Sequence, residues 1–82
     1  MTEATILDAF RRILGEIQPD KQFGPITADT KVGDLGIDSI TLVEALGAIE
    51  DEFGVNIPDT SFSRIRTVAD IVELVRGRTV ES

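Results

Sequence analysis

Ser39 is the residue whose type and position could do chemistry. It lies in Asp34-Leu35-Gly36-Ile37-Asp38-Ser39-Ile40, where a helical pattern begins. Amide N–H groups at a helix start are unpaired and the dipole is locally positive, so an anion or a phosphodiester is favoured there. A serine in that place suits covalent modification by another enzyme. The competing role is an N-cap, filled by Asp38 or Ser39, and the dipeptide alone leaves both open. Self-catalysis is poorly served. The 82-residue chain contains no histidine and no cysteine, which removes imidazole bases, Ser-His-Asp triads, thiol nucleophiles, disulfides and the usual zinc sets. Only Lys21 and Lys31 could act as an amine base near the serine. Ser39 would be a substrate, and the chain is not expected to be an enzyme.

The acids form the second group. Residues 29–59 contain Asp29, Asp34, Asp38, Glu44, Glu50, Asp51, Glu52 and Asp59 against one base, Lys31, so the whole net charge of −7 lies in this segment. That balance argues against nucleic acid and against an anionic membrane surface. No apolar run approaches the roughly 18 residues of a membrane span, and a cytoplasmic chain is the default expectation. A calcium loop is excluded by pattern, because residues 34–40 lack alternating oxygen ligands and the closing glutamate; no metal is expected. A charge run is ordinarily a solvated face. Here no lysine or arginine falls between Ser39 and Phe53, and Glu50, Asp51 and Glu52 oppose the helix dipole at its C-terminal end. A cost without local benefit suggests docking to basic partner surfaces.

The elements that must position these residues are helices. Ile6, Phe10, Ile13, Leu14 and Ile17 recur at spacings of three and four over 5–17, with Pro19 just beyond. Residues 18 to about 38 carry Pro19, Gly24, Pro25, Gly33 and Gly36 without a sustained period, and read as a long loop pinned by Ile26, Val32, Leu35 and Ile37. A strand pair there is open, but Pro and Gly interrupt every run. A second helix runs from Asp38-Ser39 to about Phe53, with Val43, Leu46, Ile49 and Phe53 inward and Gly54 as its C-terminal cap. Asp59 or Thr60 could cap a short turn near 60–64. A last helix starts at Thr67, where Thr67-Val68-Ala69-Asp70 approximates a capping box, and ends near Gly77. The expected fold is all-α, a single domain over 1–82 with its core in about 4–78: three main helices plus one short helix, with a long loop between the first two. Val43, Leu46, Ile57, Ile65, Val68, Ile71 and Val75 are most economically core. A functional reading would let some of them part to admit an apolar chain.

With these residues in place, the chain resembles an acyl carrier protein, the small four-helix carrier of fatty-acid and polyketide synthesis. Leu35-Gly36-Ile37-Asp38-Ser39-Ile40 is similar to that family's L-G-x-D-S-[LI] at the start of its second helix. Glu52-Phe53-Gly54-Val55-Asn56-Ile57-Pro58-Asp59 and Thr67-Val68-Ala69-Asp70 match in register. The resemblance implies that Ser39 is esterified with 4′-phosphopantetheine from coenzyme A by a separate, magnesium-using phosphopantetheinyl transferase. The arm's thiol would then carry acyl thioesters between a ketosynthase, an acyltransferase and other synthase enzymes. It implies that Asp38, Ile40, Glu44, Gly47 and Glu50 face basic patches on those partners. It also implies that a short acyl chain could fold back among Val43, Leu46, Ile57, Ile65, Val68 and Ile71. A monomer is expected.

Thr41 stands where fatty-acid carriers often have an acid, and Gly47 where many place a methionine, which tilts the expectation slightly towards a polyketide or other specialised pathway. An aminoacyl or peptidyl carrier of nonribosomal type, and an acidic helical interaction module with Asp38-Ser39 as a mere cap, remain the alternatives. The start of the chain, the polar stretch 79–82 and the absence of linker sequence suggest a free-standing protein.

Overall fold

A computed structural model describes residues 2–78; the polar stretch 79–82 lies outside the described residues. Four helices follow one another: α1 (Glu3–Ile17), α2 (Ser39–Phe53), α3 (Asp59–Phe62) and α4 (Val68–Arg78), with a 3-10 turn at Val32–Leu35. The apolar stripe of α1 does what its spacing requires, burying Ile6, Ala9, Phe10, Ile13 and Leu14. The helix starts two residues earlier than the stripe suggested, because the Thr2 hydroxyl caps it by accepting from the Thr5 N–H at 3.2 Å. It packs against α2 and α4 around one core in which Phe10, Leu14, Leu46, Ile49, Val68, Ile71 and Val75 are fully enclosed.

The 21 residues between α1 and α2 are held down rather than loose. Ile26, Val32 and Leu35 are buried, and Ile37 packs against the core at its edge. No strand pair forms within the loop. Instead Lys31 makes an isolated antiparallel bridge to Thr67, and the Thr30 and Ala28 carbonyls accept from the Val68 and Ala69 N–H groups at 2.9 and 2.8 Å. The loop thereby supplies acceptors for the orphan amides that open α4. Asp70 completes that cap, its carboxylate accepting from the Arg66 and Thr67 N–H groups at 2.8 and 3.0 Å. These bonds hold the Asp70 carboxyl below its ordinary range.

Gly54 ends α2 in the left-handed region at φ 67°, and the Val55 N–H reaches back to the Glu50 carbonyl at 3.1 Å. The short helix α3 starts after Pro58, which offers no side-chain cap, rather than after Asp59 or Thr60. α4 carries its helix through Gly77 to Arg78. Among the described residues no helix is long and apolar enough to cross a membrane.

Candidate functional site

The cap of α2 resolves the ambiguity at its start. Asp38 takes the N-cap position, and its carboxylate accepts from the Thr41 N–H at 2.8 Å. That bond, with a smaller contribution from the Thr41 hydroxyl, keeps the Asp38 carboxyl below its ordinary range. Ser39 is the first residue of the helix proper. It is exposed, and its hydroxyl takes part in no hydrogen bond among the described residues. Two residues suited to capping stand side by side, and the aspartate caps. The serine is left available.

Beside Ser39 lies a shallow open groove of about 250 Å³ lined by Ser39, Ile40, Val43 and Glu44. Ile40 is 71% exposed and Val43 48%, the large apolar side chains most open to solvent among the described residues. Val43 therefore does not belong to the inward stripe expected of it. The buried arc of α2 is Thr41, Ala45, Leu46 and Ile49, with Leu42 and Phe53 at its margins, and at 3.6 residues per turn position 43 falls off that arc. Leu46, Ile57, Val68 and Ile71 do come together, as fully packed core, with Ile65 against them and Val43 apart.

The acids of α2 also divide. Glu44 and Asp51 are exposed on the outward stripe that runs from Ile40 past Gly47. Glu50 is half-buried, and its carboxylate accepts from the Ile57 N–H. Glu52 pairs with Arg12 of α1, and that contact raises the Arg12 pKa above its ordinary value. Two of the three C-terminal acids of α2, Glu50 and Glu52, thus have local partners after all, on elements that sequence spacing does not connect to them. Asp51, which the sequence reading did not include with Glu44 and Glu50, is exposed on the outward stripe.

Thr41, the departure noted in the sequence, faces inward. Where an acid would face a partner, this threonine is 5% exposed and its hydroxyl accepts from the Gln18 side-chain amide at 3.2 Å. The departure at 41 is an inward-turned residue. Nothing in the local sequence signals its partner, which lies 23 positions away. Among the described residues no three histidine, cysteine, aspartate or glutamate side chains gather as a metal site would require.

The family described as "Phosphopantetheine attachment site" matches residues 4–75. The chain is 36% identical over 67 residues to an acyl carrier protein of Acidothermus cellulolyticus, covering 82% of this chain and 70% of that one. It is 35% identical over 83 residues to an acyl carrier protein of Thermobifida fusca, covering 92% and 95%. The fold matches the crystal structure of an acyl carrier protein from Thermotoga maritima with a TM-score of 0.82 at 28% identity, over 92% of this chain and 87% of that one. It matches the solution structure of the acetyl actinorhodin acyl carrier protein of Streptomyces coelicolor with a TM-score of 0.73 at 29% identity, over 89% and 88%. Full-length similarity, a four-helix fold and a free serine at the start of α2 agree: the chain belongs to the acyl carrier proteins, which are carriers rather than enzymes and bear covalently bound 4′-phosphopantetheine.

Proposed function

We propose that Ser39 is the attachment residue and that the chain, a single carrier domain, presents acyl groups to biosynthetic enzymes from that point. The observation that carries this reading is the division of labour at 38 and 39. Asp38 caps the helix, so the Ser39 hydroxyl has no structural duty and is exposed at a helix start. When bound, the phosphopantetheine supplies the thiol that a chain without cysteine lacks. The chain's own part is to hold the hydroxyl outward, to leave first-turn amides near an anionic ester, and to offer Ile40 and Val43 as an apolar edge beside it.

The docking surface we assign is the outward stripe of Ile40, Val43, Glu44, Gly47 and Asp51, flanked by Asp38, and it faces basic patches on a transferase and on synthase enzymes. Glu50 belongs to the fold in this reading. For the pathway, we favour a polyketide or other specialised route over fatty-acid synthesis. Thr41 is turned inward, so the first turn of α2 meets a partner with less negative charge and more apolar surface. Sequestration of cargo among Leu46, Ile57, Ile65, Val68 and Ile71 requires the core to part, since these side chains pack together.

Intact-protein mass after incubation with coenzyme A, magnesium and a broad-specificity phosphopantetheinyl transferase tests the assignment. A gain of one phosphopantetheine, absent from Ser39→Ala, supports it. No gain, with a control carrier modified in parallel, returns the chain to the reading of an acidic interaction module. Transfer rates of the acylated form to a fatty-acid and to a polyketide ketosynthase then decide the pathway.

A further inference from the structure

The first turn of the long loop meets the segment around Ser39 at two points, one of them a hydrogen bond. At the end of α1 the Gln18 N–H bonds the Leu14 carbonyl at 2.9 Å. Gln18-Pro19-Asp20-Lys21 then closes a turn, with the Lys21 N–H on the Gln18 carbonyl at 3.1 Å and proline at the second position, which presets its φ. Two side chains leave this turn towards α2. The Gln18 amide donates to the Thr41 hydroxyl at 3.2 Å, two residues beyond Ser39. The Lys21 ammonium lies over Gly36, three residues before Ser39, so close that a Cβ on that glycine would stand 2.9 Å from it. The same ammonium is 5.9 Å from the centre of the Phe23 ring. Thr41 is the one buried polar side chain among the described residues.

We propose that Gln18 and Thr41 are positioning residues for modification of Ser39: their hydrogen bond ties the first turn of α2 to the end of α1 and holds the serine in the pose a transferase reads. This inference rests on the reading of Ser39 as the attachment residue. The physical need is specific. The Ser39 hydroxyl has no hydrogen bond of its own among the described residues, so its place is set by the backbone of a helix end, and helix ends fray. The Asp38 cap closes that turn on itself but does not tie it to the rest of the molecule. Gln18 does, and its own backbone is fixed by the α1 terminus and the proline turn. A turn that presents the serine for only a fraction of the time raises the apparent dissociation constant for the transferase by the inverse of that fraction.

The test is steady-state modification of Gln18→Ala, Thr41→Val, Thr41→Ser and the Gln18→Ala/Thr41→Val pair with coenzyme A and magnesium, read by mass at a temperature where circular dichroism shows each folded. The expected result is a KM for the carrier raised roughly 2- to 10-fold in each single variant, the range of one ordinary net hydrogen bond, with kcat unchanged. The double variant should be no worse than the worse single one, because both remove the same bond. Thr41→Ser should restore the wild-type KM. Amide exchange at Thr41 and Leu42, whose N–H groups bond the Asp38 carboxylate and carbonyl, should quicken in Gln18→Ala, a variant that leaves the buried threonine in place. Wild-type KM in both single variants, with or without a lower Tm, overturns the proposal while leaving Ser39 as the attachment residue. Failure of the wild-type chain itself to be modified, beside a control carrier that is, overturns the Ser39 reading and this inference with it.

Discussion

Replacing Glu50 by alanine separates a residue that builds the fold from one that meets partners. In the sequence Glu50 is one of several unpaired acids on α2. In the structure its carboxylate accepts from the Ile57 N–H at a half-buried position and pins the turn between α2 and α3. A hydrogen bond to a charged group is worth about 1.5–3 kcal/mol, and losing it leaves a half-buried N–H without that acceptor. Two smaller effects oppose this. Removing a negative charge from the last turn of α2 relieves about 0.3–1 kcal/mol of unfavourable dipole interaction, and alanine is a slightly better helix former than glutamate. The net cost is about 0.5–2.5 kcal/mol.

For a domain of this size that lowers Tm by about 2–20 °C, at about 4–8 °C per kcal/mol. With no tryptophan or tyrosine, far-UV circular dichroism on heating and in urea is the suitable assay. Glu50→Gln should recover part of the loss, because a neutral amide oxygen still accepts, at the lesser value of an uncharged bond. The reasoning is refuted if Glu50→Ala and Glu50→Gln both melt within a degree of wild type, or if Glu50→Ala slows partner-dependent turnover while leaving Tm alone.

Three further outcomes are expected. Leu46→Ala, at a fully enclosed site, should cost about 2–5 kcal/mol in urea unfolding, whereas Val43→Ala should stay within about 0.5 kcal/mol and instead weaken partner-dependent steps. Glu44→Lys should leave Tm unchanged and slow modification and acyl transfer, with the defect shrinking as salt is raised; kinetics identical to wild type at all salt concentrations would remove Glu44 from the docking surface. Asp38 and Asp70 have folded pKa values below the ordinary 3.8, so their stabilisation is fully present above that value and is lost as pH falls through the lower folded values. Asp70→Asn, which keeps an acceptor but cannot titrate there, should therefore flatten the decline in urea midpoint between about pH 5 and pH 3.

How much of this was legible in the sequence depended on whether the cause was local. The α1 stripe and the Gly54 cap were legible, because periodicity and a left-handed residue act within a few positions. The four-helix fold was legible too, and the D-S-I segment pointed to the candidate site at the start of α2. The cap itself was not assignable, since aspartate and serine cap equally well and only backbone geometry at 38 decides. Val43 was misplaced because α2 is apolar over a wide arc, and which edge faces solvent is set by its packing against α1 and the shared core. The acids at 50 and 52 looked idle because their partners, Ile57 N–H and Arg12, lie on a following turn and on another helix. The 3-10 turn at Val32–Leu35 has no period to reveal it, and the Gln18–Thr41 bond joins positions with no common pattern.

These assignments change what the charge of the chain means for docking. Counted from the sequence, α2 offers a block of acids to a basic partner. With Glu52 held by Arg12 and Glu50 by the Ile57 amide, the acids free on the outward stripe reduce to Glu44 and Asp51, with Asp38 engaged at the cap. The surface proposed to meet enzymes is then small, with an apolar pair at Ile40 and Val43 next to the serine and two charges along the helix. A patch of that kind steers encounter more than it holds a complex, and salt screens it readily. For a carrier that must leave each enzyme after each step, that is the useful balance. On the proposed docking surface the unpaired charges would speed arrival and the few apolar atoms beside Ser39 would set orientation, while Glu50 and Glu52 are tied into the fold.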